Sequence, residues 1–435
     1  MAHTQTSLDN SRHTALAFYL DVLEFSQTMY SAARRILLLL PLALLLVPLQ
    51  FACDDSQITE PVTDPPISLR LEPEAARLEV GDTVRFIARF LHESGGTTPA
   101  ERVVWLSFKP AVATIDTTGL AEGVSSGRAK IIAVAGGLTA EGIINVPGWF
   151  AATPLPEPRR NGHAAAFDGK LYYIGGASSV GEDYVSTMFV FDPESESWST
   201  GPDMPTARDQ GAVAVLEGCI YVIGGVNPQA LNNGYSRLWA NEAFRVADGW
   251  WEVRAPMPTA RGHAQADTLS GQIYVIAGST VVENYDTVEV YDPASDTWSV
   301  APSISTTRWN FAAVSIGDAL YAVGGEVSRL VPTGTLEIFN VSEGTWSPGP
   351  PMPTPRLKMA WAVLENRFVV IGGYDGTTVL NVVQAFDAAA GTWSTLPGLP
   401  VARQMARAAV VGGILYVLGG LTESGITNRV DGYIP

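Results

Sequence analysis

The sequence predicts an all-β protein of two parts, a small sandwich of short strands and a longer array of one repeated strand-and-turn unit. Three observations carry that reading. Between Ile67 and Val146, short runs of alternating apolar and polar residues are separated by glycine and aspartate turns. From Trp149 onward a tryptophan is followed ten residues later by an arginine, at Trp149/Arg159, Trp198/Arg208, Trp251/Arg261, Trp298/Arg308, Trp346/Arg356 and Trp393/Arg403. Sixteen residues beyond each arginine stands a glycine pair or its remnant, at Gly175, Gly224, Ala277, Gly324, Gly372 and Gly419, and an aromatic residue lies seven before the next tryptophan, at Phe191, Phe244, Tyr291, Phe339 and Phe386.

At 435 residues and 46% hydrophobic content, the chain is long enough for more than one core. Its net charge is −17 and its only lysines are Lys109, Lys130, Lys170 and Lys358, so no basic surface is large enough to neutralise a phosphate backbone. Nucleic acid is therefore not an expected partner. The acidity reads as solubility. The two cysteines are Cys53 and Cys219; with Cys53 lipidated, as inferred below, no internal disulfide can form and stability must come from packing. Cys219 precedes the apparent strand Ile220, Tyr221, Val222, Ile223 and reads as a small packing residue.

Near the front, Arg34 and Arg35 precede the apolar run ILLLLPLALLLVPL and then QFAC. The run is shorter than the roughly 18 to 20 residues of a membrane span, and Pro41 and Pro48 interrupt it, so it reads as an export signal. It resembles a bacterial lipoprotein signal, which implies that Cys53, behind Ala52, is lipidated, becomes the mature N-terminus and anchors the protein to a membrane of the bacterial cell envelope. Gln50 departs from the pattern, which places an aliphatic residue three before the cysteine; an uncleaved anchor is the alternative. A start at Met29 gives the signal ordinary proportions. The expected division is residues 1–53 signal region, 54–66 tether, 67–147 sandwich and 148–435 repeat array.

The sandwich opens with ISLRLEPEAARLEVGDTVRFIARF, turning at Gly81 and Asp82, and continues through VVWLSF, VATID, a turn at Gly119, AKIIAVAGG and IINV. Trp105 is its expected core residue. In this order the stretch resembles the bacterial immunoglobulin-like domains of the second type, which implies a spacer or adhesive module. No ligand-binding constellation is visible in it.

The repeat pattern resembles kelch repeats over residues 149–435 and implies a six-bladed β-propeller. Each blade would take an inner strand after the arginine, a second ending at the glycines, a third ending at the aromatic and an outer one containing the tryptophan. The glycines would let neighbouring backbone approach, the tryptophans fill space between blades, and the arginines donate to carbonyls at blade junctions. The last repeat, from Arg403 to Tyr433, stops before any tryptophan of its own. Trp149 is the missing one. The segment GWFAATPLPEPRR is then the outer strand of the sixth blade, closing the ring non-covalently, abolishing exposed edges and leaving almost no linker after the sandwich.

Function must come from residues that differ between blades. Just after the arginines the copies diverge: Arg160, Asn161 and His163; Asp209 and Gln210; His263; Trp309 and Asn310; Lys358; Gln404 and Arg407. These form the expected ligand-binding set around the channel mouth. The variable loops, carrying Tyr184, Tyr235, Arg237, Trp239, Tyr285, Arg329 and Tyr374, should open on the same face. Arg160, Lys358 and Arg407 come from blades one, five and six, which closure makes consecutive, and such a cationic arc suits an acidic sugar or acidic peptide.

Metal chemistry has little support, since beyond the N-terminal region the only histidines are His92, His163 and His263. Kelch proteins of the galactose oxidase type use copper on seven blades, and six are counted here. No metal or cofactor is expected, and GxSxG, HExxH and phosphate-binding glycine motifs are absent. ARDQ, Ala207 to Gln210, is similar to a segment of the bacterial sialic acid mutarotases, exported kelch propellers, which implies an alternative sugar-acting enzyme using acid and base groups alone. The expected function is a lipid-anchored, monomeric binding or interaction module for a protein or carbohydrate ligand.

Overall fold

The structure, a computed structural model, describes residues 64–178, 183–227, 237–280 and 283–435. The signal region with Cys53, most of the tether and the loop residue Tyr235 lie outside them. In the sandwich, Pro66–Glu72 pairs antiparallel with Ile87–His92, which pairs in turn with Thr97–Pro99. A second sheet runs Ala75–Arg77, Leu138–Val146, Gly127–Ala135, Val104–Ser107, its first pair parallel and the others antiparallel. A third is built from Thr83–Arg85, Leu120–Gly123 and Ala113–Ile115.

Alternation places Leu69, Leu71, Ile131 and Ile144 in one core with Phe86, and Trp105 packs half-buried against it. The predicted turn at Gly119 requires glycine. Its φ is +81°, and a Cβ there would meet the Phe86 carbonyl at 2.6 Å and the Trp105 ring at 2.9 Å.

Pro147 alone separates the last sandwich strand from Gly148–Ala152, the first strand of the propeller. Six four-stranded antiparallel blades follow. From inside outward the first blade is His163–Phe167, Lys170–Ile174, Met188–Asp192 and Ser197–Gly201, and the next four repeat that plan. Second strands such as Cys219–Ile223 and Ile414–Leu418 are apolar without alternation and wholly buried, because each blade is covered on both faces by its neighbours. Cys219 is a free, buried thiol.

The sixth blade is Arg407–Val411, Ile414–Leu418, Val430–Ile434 and, from the other end of the chain, Gly148–Ala152. Trp149 pairs with Tyr433 in that register. The two rings lie 4.9 Å apart, matching the 5.0 to 5.4 Å of the aromatic–tryptophan pairs Phe191/Trp198 and Phe244/Trp251 in covalently continuous blades. Each tryptophan also reaches the preceding blade. The indole N–H of Trp198 donates to the Thr153 carbonyl, that of Trp251 to Pro202 and that of Trp393 to Pro350. Trp149 does the same to Pro397 at 2.8 Å, so the series runs through the closure without a break.

The arginines are buried and structural and donate to carbonyls as expected, Arg208 to Val222, Arg356 to Val370 and Arg403 to Val417, but these carbonyls belong to the arginine's own blade and not to a junction. Their side chains turn into their own blade, where Arg208, Arg261, Arg308 and Arg403 meet Glu242, Glu289, Glu337 and Asp431 at 2.5 to 3.0 Å. These acids stand two residues before the recurring aromatic, on the third strand. The junction contact is instead made by the arginine's main chain: Gly176 N–H donates to the Arg208 carbonyl, and Gly420 N–H to that of Arg159. At Gly175, a Cβ would lie 2.8 Å from the Arg208 oxygen, which is why the first glycine recurs.

Candidate functional site

After each buried arginine the chain makes the same two moves. The next residue forms a lone antiparallel bridge to the one following the glycine pair: Arg160 with Ala177, Asp209 with Val226, Trp309 with Glu326, Gln404 with Leu421. The loops between second and third strands therefore leave from the same face as these connectors. The following residue is left-handed in all six blades, with φ between 53° and 58° at Asn161, Gln210, His263, Asn310, Lys358 and Met405. Left-handed backbone in non-glycine residues is uncommon and strained. Here it is held by hydrogen bonds between blades, Gln210 N–H to the Asn161 carbonyl, His263 to Gln210, Lys358 to Asn310, Met405 to Lys358 and, across the closure, Asn161 to Met405.

This collar brings Asn161, Gln210, His263, Asn310, Lys358 and Arg407 together around a cavity of about 10 Å³ inside the ring. That is the scale of one water. Gln265, Phe311, Met359 and Trp361 complete the lining and were not anticipated. Gln265 was findable: it stands four residues after its arginine, as do His163 and Arg407.

His263 donates through Nδ1 to Asn310 Oδ1 at 2.8 Å, and Asn310 donates to Glu326 at 3.2 Å. Burial, with the charges of Arg237, Lys358 and Arg407, lowers the His263 pKa to about 3. Arg407 donates from Nε to the Gly162 carbonyl at 2.5 Å and lies 5.8 Å over the Trp361 ring, so it ties blade six to blade one as well as facing the lumen.

The other predicted residues lie elsewhere. His163 is fully buried in the wall, with Nδ1 donating to the Ile174 carbonyl and Nε2 accepting from Gly211 N–H, both at 3.0 Å; burial lowers its pKa to about 3. A neutral imidazole with both nitrogens engaged bolts blade one to blade two and has nothing left for a ligand. Trp309 and Gln404 sit half-buried on the connectors, outside the cavity lining.

Arg160 and Asp209 form a separate rim site, 3.9 Å apart, with Asn161 donating to the same carboxylate oxygen at 3.3 Å. Asp209 is 1% exposed and its other oxygen has no partner among the described residues. Burial raises its pKa to about 7 against the opposing effects of Asn161, Arg160, Arg407 and Arg237. Arg237, on the next loop, donates to the Ser279 carbonyl at 3.2 Å. The described residues contain no cluster of three or more metal-ligating side chains.

Comparison with known proteins agrees with this architecture. The family model for the Attractin/LZTR1 beta-propeller matches residues 149–383, and that for the bacterial Ig-like domain (group 2) matches residues 67–142. The chain is 27% identical over 194 residues to Kelch-like protein terF of Aspergillus terreus, covering 42% of each chain. It is 39% identical over 178 residues to Kelch-like protein 30 of Homo sapiens, covering 41% of this chain and 28% of the relative. The chain thus spans less than half the length of these curated relatives. The solved structure of YjhT superposes with a TM-score of 0.55 at 15% identity, over 64% of this chain and 96% of that one, a likeness of fold. With more than half of its residues matched by the family model, the chain belongs to the Attractin/LZTR1 beta-propeller family and builds its blades from kelch repeats.

Proposed function

We propose that this protein displays its kelch propeller as an interaction module whose mouth face binds an acidic protein segment or acidic glycan. The observation that carries the reading is a contrast between frame and lining. Six connectors share one left-handed turn, yet present Asn161, Gln210, His263, Asn310, Lys358 and Met405 there. Holding a ring together needs no such variety, whereas recognition does. On the loops of the same face, Trp239, Leu330 and Val331 expose apolar surface of the kind found at the centre of interfaces. Because the cavity inside the collar is water-sized, a macromolecular ligand would sit on the rim, over Arg160 and the loops.

Glycan and peptide arrays with the purified protein test this. Arg160→Ala should weaken an acidic ligand about tenfold without lowering the melting temperature. Binding of neutral ligands alone, or binding mapped to residues 67–146, would overturn it.

One observation favours a second reading, a sugar-acting enzyme. Asp209, with its pKa near neutrality and one unpartnered oxygen beside Arg160, is suited to exchange a proton with a sugar hydroxyl. Mutarotation assays on any bound sugar decide this, with Asp209→Asn expected to abolish the rate while leaving binding measurable.

The module's place in the cell envelope is part of the proposal and rests on the order of charged, apolar and small residues ending at Cys53. Mass spectrometry of the membrane fraction should find acyl groups on Cys53. An intact peptide covering residues 1–52 on the mature protein would exclude it.

A further inference from the structure

The cavity inside the collar holds an unusual balance of charge. Lys358, from blade five, and Arg407, from blade six, both face it, and neither forms an ion pair with any described residue. Among the described residues no carboxylate lines it. The acids nearest the collar, Asp209 and Glu326, are held by the amides of Asn161 and Asn310. Gln265 is 7% exposed, and its amide, like that of Gln210, has no hydrogen-bond partner among the described residues. Two half-buried cations and two uncommitted amides thus converge on a space of about 10 Å³. Burial lowers the pKa of both Lys358 and Arg407, and the carboxylates of Glu326 and Asp209, which lie outside the lining, offset that only in part.

We propose that this lumen is a binding site for one monatomic anion of chloride size, held by Lys358, Arg407 and the amide groups of Gln210 and Gln265. Size selects the class of ligand. A space suited to one water admits a halide, whereas a carboxylate, phosphate or sulfate would displace the collar. Chemistry selects the sign, because ammonium, guanidinium and amide N–H groups are all donors. The ion would lie beneath the face that meets a macromolecule, so the proposal stands independently of any partner there. Its role would be to neutralise the hub of the ring, where blades five and six meet blade one at the non-covalent closure.

The test is thermal unfolding of the full chain in sodium chloride, sodium bromide and sodium gluconate at equal ionic strength, with anomalous diffraction from crystals grown in bromide. The melting temperature should be about 4 °C higher in 100 mM halide than in gluconate, which is too large to enter. The bromide signal should lie within hydrogen-bond distance of Lys358 Nζ. Gln265→Glu would supply a resident carboxylate and should abolish the halide dependence; if that variant does not fold, Lys358→Met should do the same by removing a donor. Equal melting in all three salts would overturn the proposal, as would density in the lumen without anomalous signal, which would identify a water.

Discussion

Arg356 occupies the place where Arg208, Arg261, Arg308 and Arg403 each meet a carboxylate, but on its third strand the corresponding residue is Gln384. It is wholly buried, Nε and Nη1 lack partners among the described residues, and burial pulls its pKa down to about 9. Gln384→Glu should therefore stabilise the protein by about 1–3 kcal/mol, read as a raised denaturant midpoint at unchanged m-value. Arg208→Ala is the converse, stranding Glu242 as a buried unpaired charge, and should cost about 3–5 kcal/mol. Two titrating residues act with opposite sign. His163 has a folded pKa of about 3, below its ordinary value near 6.5, so the stability it contributes is present above pH 6.5 and lost as the pH falls toward 3. Asp209, raised to about 7, contributes stability present below its ordinary value near 3.8 and lost as the pH rises through 7. Asp209→Asn should accordingly be more stable than the parent at pH 8 and gain little at pH 4, as measured by urea unfolding at both values.

At the level of elements, Gly148–Ala152 is the strand on which the ring depends. It supplies the fourth strand of the sixth blade, the stack of Trp149 on Tyr433 and the indole hydrogen bond to Pro397. Trp149 is only half-buried, so Trp149→Ala should cost about 2–3 kcal/mol, less than a fully buried tryptophan. Removing the whole segment from Gly148 to Pro158 also bares the edge of Val430–Ile434, and should lower the melting temperature far more than removing Asp64 to Asn145. Equal melting of the two truncations would deny closure its energetic role. The third blade carries a related irregularity. Ala277 takes the first-glycine position with φ of 53°, a left-handed conformation that disfavours a side chain. Ala277→Gly should relieve about 1 kcal/mol of that strain, seen as a small rise in melting temperature.

At the scale of the whole molecule, sandwich and propeller follow one another with a single residue between their strands. Lys109 of the sandwich forms an ion pair with Glu196 on the turn before the first blade's outer strand. An acidic chain of net charge −17 thus keeps two of its four lysines for particular places, Lys109 at this junction and Lys358 in the lumen. Truncation at the C-terminus should be as damaging as truncation at Gly148, because Val430–Ile434 is the partner strand; melting of a chain ending at Arg429 would check this.

The all-β class, the six-fold period, the strand order within a blade and the N-terminal closure were legible in the sequence, because each rests on spacing. Ten residues from tryptophan to arginine and sixteen to the glycines are distances along a chain, and a closed ring repeats them, with Ala277 the one substitution for the first glycine. The collar was legible as a set of divergent positions following the arginines. Its internal arrangement was not, since two residues at one repeat offset can point to different surroundings. His163, Gln265 and Arg407 share an offset, yet the first is sealed in a blade junction while the other two face the lumen. The carboxylate partners of the arginines were equally hidden, lying 28 to 34 residues further along the chain on another strand. Whether a polar side chain is consumed by packing or left for a ligand depends on which backbone groups and charges the neighbouring blades bring within hydrogen-bond reach, and only the tertiary structure decides that.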